Sequence, residues 1–149
     1  MPKKLTFDDG IQSIEINGGE CLRFNPTDFN VYNRFLELSD EITKIEQEFL
    51  AEIEKAEGDS VKTLKTMRQY DAKIKERLTY TFGMGNDFDR ILKGVNLMAV
   101  GHNGEFILTN LIQALKPIID EGLKQFRASE AEQAVAEAKQ NRAQRRAKA

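Results

Sequence analysis

One stretch of the sequence constrains the fold more than any other. In residues 28–57, apolar side chains recur every three or four positions, which places them on one side of an α-helix in a near-heptad pattern. The apolar positions are Val31, Phe35, Leu38, Ile42, Ile45, Phe49, Ile53 and Ala56. A helix of about 29 residues is about 43 Å long. Because a single helix cannot bury its own apolar side, the pattern requires a second helix, in the same chain or in a second chain.

A second amphipathic helix is predicted directly after the first. Gly58 favours a left-handed conformation at the end of the first helix, and Asp59 or Ser60 can cap the next one. So short a link makes the two helices antiparallel neighbours. The predicted apolar side of the second helix comprises Val61, Leu64, Met67, Tyr70, Ile74, Leu78 and Phe82. Its other side is basic, with Lys62, Lys65, Arg68, Lys73, Lys75 and Arg77, whereas the first helix is acidic.

A small β-hairpin is predicted in residues 4–24, ahead of the helices. Residues 11–16 alternate imperfectly, a turn follows at 17–19, and Cys21–Phe24 forms the second strand. Leu5 and Phe7 could add a third short strand before them. Two strands alone are marginally stable in water, so the sheet must pack on the helices or pair with the edge of another subunit.

Shorter helices are predicted after the helical hairpin. A third helix is expected at 88–94, and residues 95–100 could continue it for a turn or two. Asn86 or Asp87 can cap this helix. A fourth helix is expected from 105 to about 126, with a kink at Pro117. Its apolar side comprises Phe106, Ile107, Leu111, Leu115, Ile118, Ile119 and Leu123.

The sequence changes character at residue 127, which predicts a division into residues 1–126 and a charged tail at 127–149. The tail favours helix but has only Val135 to bury, so it is either a frayed helical extension or disordered. Its net charge is +3, which leaves −5 for the rest of a chain with net charge −2. Its basic residues are Arg127, Lys139, Arg142, Arg145, Arg146 and Lys148. Because the whole chain is acidic and the tail has no aromatic residue, nucleic acid is an unfavoured partner.

The predicted fold class is mainly α with a small N-terminal β-hairpin (α+β). A long antiparallel helical hairpin is followed by shorter C-terminal helices and the charged tail. Cys21 and His102 are the only cysteine and the only histidine, and no nucleophile–base pair or metal-ligand spacing is recognisable. We therefore expect no enzyme and no catalytic, cofactor-binding or metal-binding residues. We also expect no membrane span, because no run of about 20 apolar residues is present.

Four segments resemble a family of small proteins from tailed phages and prophages of Gram-positive bacteria. They are LRFNPTDFNVYNRF (22–35), YDAKIKERLTYTFG (70–83), FDRILKGVNLMAV (88–100) and EFILTNLIQALKPIID (105–120). The most specific pieces are 24–28 and 82–83. The resemblance covers about residues 5–126, and the family is usually regarded as tail assembly chaperone-like.

This resemblance implies a non-enzymatic role in the host cytoplasm during virion assembly. Such chaperones are thought to coat the long tape-measure protein, to keep its hydrophobic helices from aggregating, and to recruit tail-tube subunits. The implied partners are therefore the tape-measure protein and the tail-tube protein. Self-association of the chain stays open, because the near-heptad pattern can be satisfied within one chain or between two.

A long amphipathic hairpin offers a groove to another amphipathic helix, which predicts a protein-binding surface. We place this surface around the end of the second helix and the third helix, at Phe82, Met84, Phe88, Ile91 and Leu92. Two other functions stay open at this point. One is a structural subunit of the tail or neck that joins a ring or tube through the hairpin edge. The other is a small nucleic-acid-associated protein that uses the basic tail.

Overall fold

The computed structural model describes residues 1–147. It contains two strands and four helices, in the order β1 Gln12–Glu15, β2 Cys21–Phe24, α1 Phe29–Lys55, α2 Ser60–Phe82, α3 Phe88–Ile91 and α4 Ile107–Ala147. The strands form an antiparallel two-stranded sheet in which Ser13 lies opposite Arg23 and Ile14 opposite Leu22. This architecture confirms the predicted fold class, mainly α with a small N-terminal β-hairpin.

The helices α1 and α2 form the antiparallel hairpin that the sequence predicts. The Asp28 side chain caps α1 by accepting a hydrogen bond from the backbone N–H of Asn30, and Asp59 caps α2 in the same way. The antiparallel direction follows from three pairs along the contact: Arg34 with Tyr80, Glu41 with Arg77, and Phe49 with Tyr70.

The core lies where the hairpin meets the sheet, α3 and α4. Most of the predicted apolar side of α1 is buried, and Ile45 and Ile53 are half-buried at its margin. Phe82 at the end of α2 links the layers, with its ring centroid 5.0 Å from that of Phe24, 6.3 Å from that of Phe35 and 6.1 Å from that of Phe88. Complete burial of side chains of this size stabilises a fold by about 1.5–3 kcal/mol each.

The segment between α3 and α4 differs from the prediction. The third helix ends at Ile91, three residues early, because Lys93 and Gly94 adopt positive φ angles of 54° and 74°. The expected extra helical turns at 95–100 are also wrong, because this backbone bonds to other elements. Ile107 N–H donates to the carbonyl of Ala99, and Val100 forms a β-bridge with Phe106.

The last helix is far longer than the predicted fourth helix. It begins at Ile107 and continues through Pro117 to Ala147, so the described part of the tail is helical and not disordered. Burial ends near Phe126, and every described side chain beyond it is exposed. Lys148, predicted as part of the basic end, lies outside the described residues. None of the helices in residues 1–147 combines the length and the apolar character needed to cross a membrane.

The predicted third strand at Leu5 and Phe7 is not formed. Gly10 turns the chain with a φ of 70°, and the side chains of Asp8 and Asp9 accept hydrogen bonds from the N–H groups of Gly10 and Ile11. The Asp9 carbonyl accepts a hydrogen bond from the Asn25 side chain, and the side chains of Leu5 and Phe7 are both exposed.

Candidate protein-binding surface

The apolar side of α2 is buried at one end and open at the other. Leu78 and Ile74, near the C-terminal end of α2, are fully buried in the core. Toward the N-terminal end of α2, Tyr70 and Met67 are half-buried. In the first two turns of the helix, Leu64 is 66% exposed and Val61 is 75% exposed. A continuous apolar stripe therefore emerges from the core onto the surface.

This uncovering has a simple cause in the layering of the helices. The segment that starts α4 reaches the hairpin at Phe106, whose ring centroid lies 5.8 Å from that of Phe49 on α1. Toward the N-terminal end of α2 from this level, α1 and the turn at Asn96 lie against α2, and they leave the apolar side uncovered at Leu64 and Val61. Our prediction that Val61 and Leu64 lie inside the buried contact is therefore wrong.

The exposed residues line a groove of about 520 Å³, which we call the α2 groove. Its lining comprises Val61, Leu64, Lys65, Met67, Arg68 and Asn96. The amide Nδ2 of Asn96 donates to the backbone carbonyl of Met67 at 3.2 Å, which fixes one wall of the groove to α2. Two cations on an apolar lining favour an apolar partner with acidic flanks.

A buried ion-pair network holds this wall in place. The Lys75 ammonium, only 7% exposed, lies 2.8 Å from Asp71 Oδ2 on its own helix and 2.8 Å from Asp89 Oδ1 on α3. The second oxygen of Asp71 accepts a hydrogen bond from the Leu97 N–H at 2.8 Å, next to Asn96. Lys75 was predicted on the solvated basic side of α2; that prediction is wrong, because α3 folds back over this position.

Two opposing effects set the protonation of Lys75. Burial lowers the pKa of its ammonium group, but the hydrogen bonds and charges of Asp71 and Asp89 outweigh this effect and raise the pKa above its ordinary value of 10.5. The lysine is therefore charged at neutral pH, so its ion pairs with Asp71 and Asp89 are present under those conditions.

The residues predicted as the binding surface do not lie on one face. Phe82, Phe88 and Ile91 are buried in the core, and Leu92 is half-buried against it. Only Met84 is open, at 87% exposure. In this conformation the three buried side chains stabilise the fold and cannot touch a partner. Partner binding near Met84 stays a prediction.

Asn86 has a role that the sequence did not reveal. It was predicted as a possible helix cap, but Asp87 caps α3, and Asn86 instead bonds to the backbone of β2. Its Oδ1 accepts from the Arg23 N–H at 2.8 Å, and its Nδ2 donates to the Arg23 carbonyl at 2.9 Å. The buried amide thus attaches the sheet to the turn between α2 and α3.

Comparisons with protein-family profiles, with curated proteins and with solved structures found no match to this chain. The resemblance to tail assembly chaperones therefore stays a prediction from the sequence segments quoted above. Within residues 1–147, no group of three or more histidine, cysteine, aspartate or glutamate side chains is placed to hold a metal ion.

Proposed function

We propose that this protein is a non-enzymatic tail assembly chaperone that binds the tape-measure protein of a tailed phage. The observation that carries the proposal is the α2 groove, an exposed apolar stripe continuous with the core of a helical hairpin. The resemblance of four sequence segments to this protein family supplies the identity of the partner. Recruitment of tail-tube subunits is proposed on the resemblance alone.

The chemistry of the groove suits a helical partner. Val61 and Leu64 are spaced three residues apart on α2, and Met67 continues the same side of the helix. An amphipathic helix that packs beside them buries apolar residues spaced by three or four positions. Apolar contacts of this kind adapt to side chains of different shape and require few specific hydrogen bonds. A protein that binds many similar segments of one long partner needs both properties.

The cations beside the groove add a preference among helices. Lys65 and Arg68 lie on the same stretch of α2 as the apolar stripe, and neither forms an ion pair with an acidic side chain in residues 1–147. A partner helix with acidic residues flanking its apolar side meets these cations and is held more tightly than a basic one. The proposed segments of the tape-measure protein are therefore amphipathic and acidic at the margin.

A double substitution in the groove tests the proposal. In Val61→Asp/Leu64→Asp, two carboxylates replace the apolar contacts, and we expect recovery of a co-expressed tape-measure fragment in a pull-down to fall at least tenfold. The fold is expected to survive because both side chains are already exposed. Binding is measured by quantifying the recovered fragment, and folding by circular dichroism.

The control is Val135→Asp, which places one aspartate, half of the charge that the double variant adds, on an exposed valine of the α4 extension, the exposed part of α4 beyond Phe126. This variant is expected to bind the fragment as the wild-type protein does. Equal recovery with the groove variant and the wild-type protein would contradict the proposed site. No recovery with the wild-type protein at low salt would contradict the function. Presence of the protein in purified virions would favour a structural subunit instead.

A further inference from the structure

The two edges of the small sheet are not equivalent. The outer edge of β2 is occupied, because the Asn86 amide bonds to both backbone polar groups of Arg23. On the outer edge of β1, within residues 1–147, no third strand is present and no other segment hydrogen-bonds to the backbone of Ser13 or Glu15. An open strand edge is a template for pairing with another strand.

The register of the sheet identifies which groups face outward on β1. In an antiparallel pair, residues whose backbone groups point toward the partner strand alternate with residues whose groups point away. The N–H and C=O groups of Arg23 point to Asn86 and away from β1. Because Ser13 lies directly opposite Arg23, the N–H and C=O groups of Ser13 point away from β2, toward the open edge. Glu15 lies two residues further along β1, so its backbone N–H and C=O groups also point toward the open edge.

The open edge is short and carries one charged side chain, Glu15, but it lacks three other features that block pairing. Residues 11–16 contain no lysine, arginine or proline, and the register between β1 and β2 contains no bulge. The side chains of Ser13 and Glu15 are exposed, as is that of Ile11 just before the strand. The backbone of this edge is therefore able to accept a second strand, provided that the residue opposite Glu15 is not acidic.

We propose that β1 of one copy pairs antiparallel with β1 of a second copy around a two-fold axis, which joins the two hairpins into one four-stranded sheet. With Ile14 on the axis, Ser13 of each copy lies opposite Glu15 of the other. Both residues then exchange backbone hydrogen bonds, as an antiparallel ladder requires. This interface is independent of the proposed binding of a tape-measure protein.

The charges at the two ends of β1 select a second copy as the occupant. Asp8 and Asp9 precede the strand, whereas the ammonium of Lys93 lies beside the turn that follows it and donates to the Asn17 carbonyl at 3.1 Å. Glu20 in this turn is paired with Arg90, so Lys93 is the cation that antiparallel pairing brings toward Asp8 and Asp9 of the other copy, twice per dimer. A parallel pairing would place like charges together.

Sedimentation velocity over a concentration series, with the full chain, tests this inference. The wild-type protein is expected to form a dimer. In Ser13→Glu, a glutamate at position 13 faces Glu15 of the other copy at two places, and we expect the dissociation constant to rise about tenfold. The monomer is not destabilised, because position 13 lies opposite Arg23 in its own sheet.

Two further variants make the test specific to the register. Glu15→Lys alone removes no attraction and is expected to dimerise like the wild-type protein. The double variant Ser13→Glu/Glu15→Lys places opposite charges together and is expected to recover dimerisation. A wild-type protein that stays monomeric would overturn the inference. So would a Ser13→Glu variant with unchanged association, or a double variant that does not recover.

Discussion

Replacing Phe49 with aspartate is expected to leave most of the chain unfolded at 25 °C. Phe49 is only 4% exposed, and its ring packs edge-on against Tyr70 at 5.3 Å and against Phe106 at 5.8 Å. The substitution removes these contacts and buries a carboxylate with no partner. We expect the free energy of unfolding to fall by several kcal/mol, which is comparable with the whole stability of a domain of this size. Urea denaturation followed by circular dichroism measures the change.

The neighbouring residue supplies the control for this experiment. Leu50 follows Phe49 in α1 but is 53% exposed, so Leu50→Asp adds the same charge to the same helix turn at little cost. We expect its free energy of unfolding to change by less than about 1 kcal/mol. Equal losses in the two variants would mean that charge alone, and not burial in the hairpin, explains the effect.

The second large effect is expected at Lys75. Lys75→Ala leaves the Asp71 carboxylate without its cation in a position where little water reaches it, since this side chain is only 17% exposed. The Asp89 side chain is 73% exposed, so leaving it without its cation adds little to the loss of stability. Loss of one member of a buried ion pair costs about 3–5 kcal/mol, and we expect about 3 kcal/mol here because water still reaches Asp89.

Lys73→Ala is the matched control for Lys75, because Lys73 lies on the same helix and is exposed. Its loss is expected to change the free energy of unfolding by less than about 0.5 kcal/mol. Hydrogen exchange adds a local measurement: the Leu97 amide, which donates to Asp71, should exchange faster in Lys75→Ala. Unchanged stability and unchanged exchange at Leu97 would show that the network does not hold the groove wall.

The helices α1 and α2 could be predicted from the sequence because their signals are local. The spacing of Phe35, Ile42 and Phe49 requires a buried helix side, and Asp28 and Asp59 are capping residues at the positions where the helices begin. The two strands and their turn follow from alternation and from the glycines of the turn. These features depend on neighbours in the chain, which a reader of the sequence can see.

The candidate surface could not be predicted, because it depends on where the chain returns. The pattern makes Val61 equivalent to Leu78, but Leu78 lies in the core that the sheet, α3 and α4 complete, whereas Val61 lies on α2 where that core does not reach. In the same way, Lys75 resembles any surface lysine until α3 brings Asp89 to it. Phe82 and Phe88 were predicted at a binding surface because the sequence does not show that they pack against each other.

Site-specific photo-crosslinking of the assembled complex tests whether the partner binds in the α2 groove. A photoreactive amino acid is placed at position 64 in the α2 groove, or at position 135 on the α4 extension, and the protein is co-expressed with the tape-measure protein. We expect a covalent adduct from position 64 and little from position 135, because we propose that the partner helix lies in the groove. An adduct from position 135 alone, or from neither position in a complex that still forms, would contradict the proposed binding surface.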